Sequence, residues 1–375
     1  MTGSPRVARL EALLFRAPCA PVRTSFGVMH DRPALLLRVE DDEGAVGWGE
    51  VWCNFPPCGA EHRAALVRTL VAPQLQGQPA GEPMATWRQL GRRFAVLALQ
   101  SGEPGPMAQV LAAVDQALWD LAARRAGQPL WQLLGGTRAE VPAYASGIGP
   151  ESGVDELLQH RENGHTAFKL KVGFDAVADA RRVAGARQAL GPAATLMVDA
   201  NQAWPAAEAA AHCRALAANG LAWIEEPVAV DQPAEVWRQL AAEAGAPLAG
   251  GENLIGEAAF SHAIETGALA VLQPDVAKWG GVSGCLAVAR QAMAAGRRYC
   301  PHFLGAGVGL AISAHVLAAA GGDGLLEIDV NPNPLRELLA GGLSPPREGR
   351  VQLPAVPGFG HPPDLPALRE FAVRC

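Results

Sequence analysis

The sequence lacks any long, uninterrupted hydrophobic run. A membrane-spanning helix needs about 20 consecutive apolar residues, and here Arg, Asp, Glu and Gln interrupt every alanine-rich stretch. The first residues, MTGSPRVARLEALLF, have neither the apolar segment nor the small-residue cleavage site of a secretory signal peptide. We therefore expect a cytoplasmic protein that does not act at a membrane.

Basic runs and paired cysteines are also missing. The net charge is −6 and the isoelectric point is near 5.9, which argues against non-specific binding to nucleic acid or to anionic membranes. The seven cysteines are scattered, odd in number and without a CxxC pair. This pattern argues against a disulfide framework or a zinc knuckle. We expect reduced cysteines and no nucleic-acid partner.

The chain of 375 residues is long enough for two domains. Its first part contains the β-rich runs VARLEALLF, PALLLRVED and AVGWGEVW, and the turn DDEG separates the last two. This order predicts an antiparallel sheet. Apolar residues at helical spacing then predict helices over about 61–72 and 105–126, with Gly127 ending the second. The first part is therefore expected to be an α+β domain.

From about residue 141 the pattern changes to one of eight short apolar runs, recurring about every 24–28 residues. Most are separated by alanine-rich helical stretches, which predicts parallel βα units. An open doubly wound sheet is possible, but eight evenly spaced units favour a barrel. In such barrels the chemistry lies at the carboxyl ends of the strands.

Carboxylates end three successive runs of this series. Asp199, followed by Asn201, ends TLMVDAN; Glu225 and Glu226 end WIEEP; and Glu252 ends AGGE. Adjacent strand residues face opposite ways, so only one of the two adjacent glutamates is expected at the site. Converging carboxylates without His or Cys favour Mg²⁺ over zinc.

Two lysines lie on the run before these acids, in TAFKLKVG. Lys169 and Lys171 are two residues apart and therefore share one face of a strand. Such close like charges require an anion nearby, and a small-molecule carboxylic acid substrate bound to the metal would supply one. In a cationic, partly desolvated site we expect a lowered lysine pKa, as a catalytic base requires.

The sixth, seventh and eighth runs add Asp275, His302 and Glu327. An Asp one strand away from a His fixes its tautomer and raises its basicity, so we predict a functional Asp275–His302 pair. Glu327 is a candidate hydrogen-bonding acid. Lys278 follows Asp275 by three residues, and we predict that it borders the metal site.

These residues resemble a known family. The Lys-x-Lys pair, D-x-N, E-E-P, G-E-N, PDxxKxGG, the late His and the stretch ALWDLAARRAGQPLWQLLGG are similar to the enolase superfamily, specifically its mandelate racemase subgroup. The resemblance covers essentially the whole chain. It implies a modified (β/α)7β TIM barrel over residues 131–349. It also implies an N-terminal α+β capping domain over 1–130, completed by the tail 350–375.

The resemblance also implies a role for each motif residue. Mg²⁺ would be held by Asp199, Glu225 and Glu252. Lys171 would be one acid/base catalyst, with Lys169 neutralising the substrate carboxylate. The other residues implied at the reacting centre are the His302–Asp275 pair, as the opposite catalyst, and Glu327, as a hydrogen-bonding partner of the substrate carboxylate. Where Asp275 stands, the muconate-cycloisomerase and dipeptide-epimerase subgroups carry Lys, which weighs against those two activities.

The implied chemistry is removal of a proton α to a carboxylate, giving an enediolate. Loss of a β-hydroxyl would then complete dehydration of a hydroxy or sugar acid to a 2-keto acid, which we favour. Reprotonation on the other face would instead give a racemase or epimerase. A non-catalytic small-acid-binding protein is a remote alternative. A homo-oligomer is expected.

Segments near 21–32 and 52–59 are predicted to form two loops that cover the substrate. Phe26 and Phe55 would give these loops an apolar character. Arg23, His30, Arg32 and Asn54 are candidates for binding substrate hydroxyls or a second carboxylate. Asn201 and Lys278 are further candidates for binding the substrate. The sequence leaves the identity of the acid open.

Overall fold

The computed structural model describes residues 5–24 and 27–373; the predicted substrate-binding residue Phe26 lies outside them. The first part of the chain forms the predicted antiparallel sheet. Its strands are β1 (Val7–Thr24), β2 (Gly27–Asp41) and β3 (Val46–Val51), in the order β1-β2-β3. The β2–β3 turn is closed by the Asp41 carboxylate, which accepts hydrogen bonds from the backbone N–H groups of Glu43 and Ala45.

The hairpin of β1 and β2 is longer than the sequence predicted. Val22 pairs with Met29 and Thr24 with Gly27, so the segment expected as a covering loop near 21–32 is mostly strand. A register shift between Pro18 and Val22 separates this extension from the main sheet. Backbone hydrogen bonds between β1 and β2 therefore make this segment a two-stranded extension of the hairpin, which the residue types alone do not reveal.

Five helical segments follow the sheet. They are α1 (Gly59–Leu66), a π-helical turn (Val67–Val71) running into α2 (Ala72–Leu75), α3 (Pro83–Ser101), α4 (Pro104–Arg125) and α5 (Leu130–Leu133). Both predicted helices are present. Gly127, with a positive φ of 64°, follows the end of α4 as expected. The 19-residue α3 was not predicted.

Eight parallel strands form the second part of the chain. They are β4 (Glu140–Ile148), β5 (Ala167–Lys171), β6 (Thr195–Asp199), β7 (Ile224–Glu225), β8 (Leu248–Gly250), β9 (Val271–Leu272), β10 (Arg298–Tyr299) and β11 (Leu326–Asp329). Their hydrogen-bonded order is β10-β9-β8-β7-β6-β5-β4-β11. The loop that follows β10 contacts β11, the strand at the opposite end of this order, because the Phe303 N–H donates to Glu327 Oε2 at 3.1 Å.

Seven helices alternate with these strands, which gives the (β/α)7β arrangement. They are α6 (Val154–Glu162), α7 (Ala176–Leu190), α8 (Ala206–Ala217), α9 (Ala234–Glu243), α10 (Glu257–Thr266), α11 (Gly281–Ala294) and α12 (Gly307–Ala320). A layer of buried side chains that includes Tyr144, Met197 and Trp223 forms one cluster inside the barrel. The interior of the barrel is therefore filled by packed side chains at this level.

The chain ends with α13 (Pro334–Leu339), β12 (Arg350–Gln352) and a tail without long elements. β12 pairs antiparallel with β4 of the barrel, and the Val373 N–H donates to the Leu14 carbonyl in β1 at 2.9 Å. The division into domains at residues 130 and 349 stays a prediction. In the part of the chain that the structure describes, no helix is both long and apolar enough to cross a membrane.

Candidate active site

Register across the barrel brings the predicted residues together. In the parallel ladder Lys171 of β5 lies beside Asp199 of β6, and Asp199 lies beside Glu225 of β7. Because these residues are at the carboxyl ends of their strands, their side chains meet at the mouth of the barrel. The strand ends thus create a cluster of alternating basic and acidic groups.

Lys169 lies one layer deeper and is almost fully buried, with 1% of its surface exposed. Its Nζ lies 2.8 Å from both carboxylate oxygens of Glu225 and 2.7 Å from Glu327 Oε1. Burial alone would lower its pKa, but these two carboxylates hold the pKa well above its usual value. Lys169 is therefore held as a cation between two acids.

Lys171 points into the mouth. Its Nζ lies 2.5 Å from Asp199 Oδ2 and 2.8 Å from Asn201 Oδ1. Burial is the largest influence and lowers the pKa of this lysine, but the carboxylates of Asp199, Glu252 and Glu225 together outweigh it, so the net shift is upward. The protein groups alone therefore favour the ammonium form, whereas the lowered pKa expected from the sequence was for a site that also carries the charge of a bound cation.

The Asp275–His302 pair is present. Asp275 Oδ2 lies 2.6 Å from His302 Nδ1, while Oδ1 accepts the Ala277 N–H at 2.7 Å. His302 Nε2 faces Glu252 Oε2 at 2.7 Å. Burial opposes protonation, but Glu252, Glu327 and Asp275 raise the His302 pKa to about 10. The imidazole is therefore held as a cation in the direction expected from the sequence.

Glu327 lies near two of the cations of the site, Lys169 at 2.7 Å and His302 at 3.9 Å. Its Oε1 also accepts the Ser146 hydroxyl at 2.5 Å. Burial raises its pKa, but Lys169 and His302 reverse the shift and bring the pKa to about 2. Glu327 is thus a carboxylate here and not a neutral hydrogen-bond donor.

The two adjacent glutamates face different ways, as expected. Glu225 points into the barrel, where Gln273 Nε2 donates to it at 2.7 Å. Glu226 instead accepts from Asn253 Nδ2 at 2.9 Å and from Gln202 Nε2 at 3.0 Å. Burial raises the pKa of Glu225 to about 7 and that of Glu226 to about 8.

The three predicted metal ligands are each paired with a base. Asp199 contacts Lys171, Glu225 contacts Lys169, and Glu252 contacts Lys278 at 3.0 Å as well as His302. Within residues 5–24 and 27–373, no group of three or more Asp, Glu, His or Cys side chains is arranged so that it could hold a metal ion.

Two observations nevertheless fit a cation at this position. Carboxylates outnumber bases at the mouth, and Asp199, Glu327 and Glu252 each add to the raised pKa of Glu225. Glu252 Oε2 is buried and accepts no well-aligned hydrogen bond, although His302 is near. Carboxylate oxygens are the ligands that Mg²⁺ prefers, so the donor set fits that ion.

A cavity of about 220 Å³ opens among these groups. Its lining comes from the barrel and from both segments predicted to cover the substrate: Thr24, Trp52, Phe55, Lys171, Asn201, Gln202, Glu226, Glu252, Asn253, Lys278, His302 and Leu304. Lys278 Nζ lies 4.9 Å from the centre of the Trp52 ring, within cation–π range. The cavity is therefore lined by aromatic side chains of the N-terminal part and by charged side chains of the barrel.

Several predicted lid residues do not line this cavity. Arg23 is exposed and lies 3.7 Å from Glu151, and His30 is also exposed. Asn54 is buried and donates to the Leu304 carbonyl at 2.7 Å. Arg32 forms a buried ion pair with Asp329 at 2.8 Å. Each of these polar groups therefore faces solvent or already has a protein partner.

Five cavity residues were not predicted individually from the sequence: Thr24, Trp52, Gln202, Asn253 and Leu304. Gln202 and Asn253 directly follow predicted motif residues, so their position one residue past a strand-end motif was the available signal. Thr24 lies in the segment near 21–32 that was predicted to cover the substrate, and it reaches the cavity through the length of the hairpin.

The fold and the site together define a class. A (β/α)7β barrel with an antiparallel capping sheet holds two basic groups, Lys171 and His302, on the wall of one small acidic cavity. Such placement at the carboxyl edge of the strands is that of a barrel enzyme.

Comparison with known proteins identifies the family. The enolase C-terminal domain-like family matches residues 154–367. The N-terminal domain family of mandelate racemase and muconate lactonizing enzyme matches residues 9–135. The chain belongs to the mandelate racemase/muconate lactonizing enzyme group of the enolase superfamily.

Similar solved structures support the same conclusion. A mandelate racemase/muconate lactonizing enzyme from Bordetella bronchiseptica RB50 is 52% identical, with a TM-score of 0.93 over 98% of this chain and 99% of that one. A racemase from Streptomyces coelicolor A3(2) with bound magnesium is 31% identical, with a TM-score of 0.86 over 98% and 100%.

Curated relatives act on sugar acids. A D-galactarolactone cycloisomerase from Agrobacterium fabrum is 34% identical over 92% of this chain and 93% of its own length. A D-galactonate dehydratase from Verminephrobacter eiseniae is 32% identical over 75% and 74%. The protein is an enzyme of the lyase or isomerase type, and the non-catalytic alternative is set aside.

Proposed function

We propose that the enzyme removes the α-proton of a sugar or hydroxy acid and dehydrates the acid to a 2-keto acid. The observation that carries this proposal is that Lys171 and His302 line the same cavity of about 220 Å³. Two proton carriers on one small cavity allow one to take a proton while the other returns one.

Lys171 is the proposed base. Its Nζ is fixed by Asp199 and Asn201, so the ammonium is aimed into the cavity and exchanges protons at a defined position. It must be neutral to accept a proton, and the raised pKa shows that the protein groups alone favour the ammonium. Bound Mg²⁺ would supply positive charge that favours the neutral lysine and offsets charge on the substrate carboxylate.

His302 is the proposed acid. Asp275 holds Nδ1 at 2.6 Å, which directs Nε2 towards the cavity. Because neighbouring carboxylates keep the imidazole protonated, Nε2–H would exchange its contact with Glu252 for a departing β-hydroxyl, which would leave as water. Lys169, between Glu225 and Glu327, would remain charged throughout.

Asp199, Glu225 and Glu252 are the residues that would hold Mg²⁺. Their donor chemistry and the mutual repulsion at Glu225 support this assignment, as does the bound magnesium of the related racemase. The remaining chemistry of the site, namely proton transfer and substrate orientation, is assigned to side chains of this chain.

A second candidate is isomerisation of a cyclic sugar acid. Asp275 stands where the muconate-cycloisomerase subgroup carries Lys, which weighs against that activity. A relative that matches 92% of this chain is nevertheless a cycloisomerase, of D-galactarolactone. The same α-proton removal, followed by departure of a ring oxygen, would open a lactone instead of releasing water. Racemisation or epimerisation through reprotonation by His302 is a third outcome of the same step.

The test is a substrate panel with Mg²⁺ in D₂O. Galactonate, galactarate, talarate, galactarolactone and mandelate are incubated with the enzyme, and ¹H NMR records α-deuteration, loss of water and ring opening. We expect a 2-keto acid from at least one open-chain sugar acid. Ring opening of the lactone alone would favour the cycloisomerase, and change of optical rotation without a keto product would favour a racemase.

Variants decide the roles of the two proton carriers. Lys171→Ala and His302→Asn should each lower kcat by about 100–10,000-fold, the usual contribution of a general acid or base. Arg93→Ala, on the exposed face of α3, is the matched control and should keep full activity. Chelation should abolish turnover and Mg²⁺ should restore it. Full turnover by both site variants would refute the two-carrier assignment.

A homo-oligomeric assembly and a cytoplasmic location stay predictions.

A further inference from the structure

A short stretch of the N-terminal part of the chain reaches both loops that carry the Asp275–His302 pair. Side chains of residues 50–54 alternate between two surroundings: Val51 and Cys53 belong to the core of the N-terminal sheet and helices, while Glu50 and Asn54 contact the barrel. Glu50 is only 2% exposed and Asn54 8%. Two polar side chains are thus buried against the barrel at alternate positions.

Glu50 completes the start of α12, the helix that follows the His302 loop. The residue before this helix is Ala306, which has no side-chain acceptor for the free backbone N–H groups. Glu50 supplies one from another part of the chain: its two oxygens accept the Ala306 N–H at 2.6 Å and the Gly309 N–H at 2.9 Å. A carboxylate at this end also suits the helix dipole.

Asn54 holds the same loop at a second point. Its side-chain amide donates to the Leu304 carbonyl at 2.7 Å, two residues after His302. Glu50 and Asn54 therefore fix both halves of the segment that runs from His302 to the first turn of α12.

Gln116 of α4 holds the other loop. Its amide donates to the Val276 carbonyl at 2.6 Å and accepts the Glu50 N–H at 3.0 Å. Val276 is next to Asp275, whose own Oδ1 accepts the Ala277 N–H. The direction of the Asp275 carboxylate therefore depends on a turn that Gln116 anchors.

We propose that Glu50, Asn54 and Gln116 are positioning residues that set the geometry of the Asp275–His302 pair. The inference rests on the proposed function, in which His302 is a proton carrier. Releasing either loop lets the imidazole move relative to both Asp275 and the cavity. A displacement of about 1 Å in a catalytic group costs about 100-fold in rate, so a loss of this order is expected without loss of substrate binding.

The first test needs no substrate. The His302 Nδ1 proton shared with Asp275 should give a low-field ¹H NMR resonance, identified by its loss in His302→Asn. Glu50→Gln removes one of the two acceptors and should shift or broaden this resonance. Asp41→Asn is the matched control, since Asp41 is a buried carboxylate that accepts the backbone N–H groups of Glu43 and Ala45 in the β2–β3 turn. It should leave the resonance unchanged.

The second test is kinetic, with galactonate and galactarate as probes. Glu50→Gln should lower kcat by about 10–100-fold, the usual cost of losing a group that orients a functional residue, with KM changed less than threefold. Asp41→Asn should stay within threefold of the wild type in both constants. A fall in kcat shared equally by the control would indicate general loosening and overturn the proposal.

Asn54→Ala removes a single hydrogen bond and serves if Glu50→Gln fails to fold. A wild-type enzyme without the low-field resonance, or an unchanged resonance in the folded variants, would overturn the proposal. A resonance that responds to these variants in a protein that turns over neither probe would support the positioning role while counting against the proposed function. The two failures are therefore distinguishable.

Discussion

At the scale of single residues, His315 of α12 joins three distant parts of the chain. It is fully buried; its Nδ1 accepts the Trp131 N–H and its Nε2 donates to the Phe359 carbonyl, both at 3.0 Å. Only the neutral ring protonated on Nε2 satisfies both bonds, because the imidazolium would turn Nδ1 into a donor facing another donor. Burial accordingly lowers the His315 pKa to about 3.

This pKa predicts a loss of stability in acid. The unfolded chain binds a proton at His315 once the pH falls below about 6.5, whereas the folded chain does so only near 3. Stability from this residue is thus full above pH 6.5 and lost between 6.5 and 3. Between pH 7 and 5 the loss should be about 2 kcal/mol.

Urea unfolding of the wild type and of His315→Gln at pH 7 and 5 measures this loss. Glutamine keeps an acceptor and a donor but does not titrate, so the stability difference between the two proteins should shrink by that amount at pH 5. A difference that does not change with pH would contradict the assignment.

The motif residues were predictable from the sequence, and the lid residues were not. Asp199, Glu225 and Lys171 end successive strands, and parallel pairing alone brings strand ends together. Arg32, by contrast, pairs with Asp329 across 297 positions. Such contacts depend on how the hairpin lies on the barrel, which no local pattern specifies.

At the scale of elements, the contact of β3 with α4 depends on two glycines. A Cβ on Gly47 would lie 2.1 Å from the Ala117 carbonyl oxygen, and a Cβ on Gly49 would lie 2.1 Å from that of Ala113. These overlaps are with backbone, which cannot rotate away. The two glycines let β3 approach α4 closely enough for Glu50 to bond with Gln116.

We predict that Gly49→Ala destabilises the protein by about 1–3 kcal/mol, the usual cost of overpacking. It should also lower kcat, because Glu50 is the next residue. Gly185→Ala in α7 is the matched control: nothing lies within 4 Å of the added methyl group. It should stabilise the protein by roughly 0.5–1 kcal/mol. Thermal unfolding measures the change in stability, and steady-state rates measure the change in kcat. An equal effect of the two substitutions would show that the close approach of β3 to α4 does not determine stability or activity.

Helix α3 shows why element prediction was incomplete. Its buried residues Leu90, Phe94 and Ala98 follow helical spacing, but Val96 and Leu99 are 69% and 74% exposed. The buried residues nevertheless keep the helical period, so α3 could have been predicted from the sequence and was overlooked. The barrel rhythm was clearer, because short buried strands alternate with alanine-rich helices over the whole second part of the chain.

At the scale of the whole molecule, the two parts share one core. Phe15 and Trp48 of the N-terminal sheet belong to the same buried cluster as Phe303 and Leu310 of the barrel. The buried polar contacts of Glu50 and Gln116 cross the same boundary. Opening this boundary would expose apolar surface and leave buried polar groups unpaired, both of which are costly. The N-terminal part and the barrel should therefore unfold as one unit.

Leu196→Ala tests this cooperativity. Leu196 is fully buried in β6, in a barrel cluster made of residues from Ala145 onwards. The substitution should cost about 2–5 kcal/mol. If unfolding is global, hydrogen exchange of the slowest amides should speed up by the same factor in β2 as in β5. Val177→Ala, at a position 59% exposed, should change neither. Wild-type protection of β2 alongside faster exchange in β5 would show that the N-terminal sheet keeps its structure independently of the barrel.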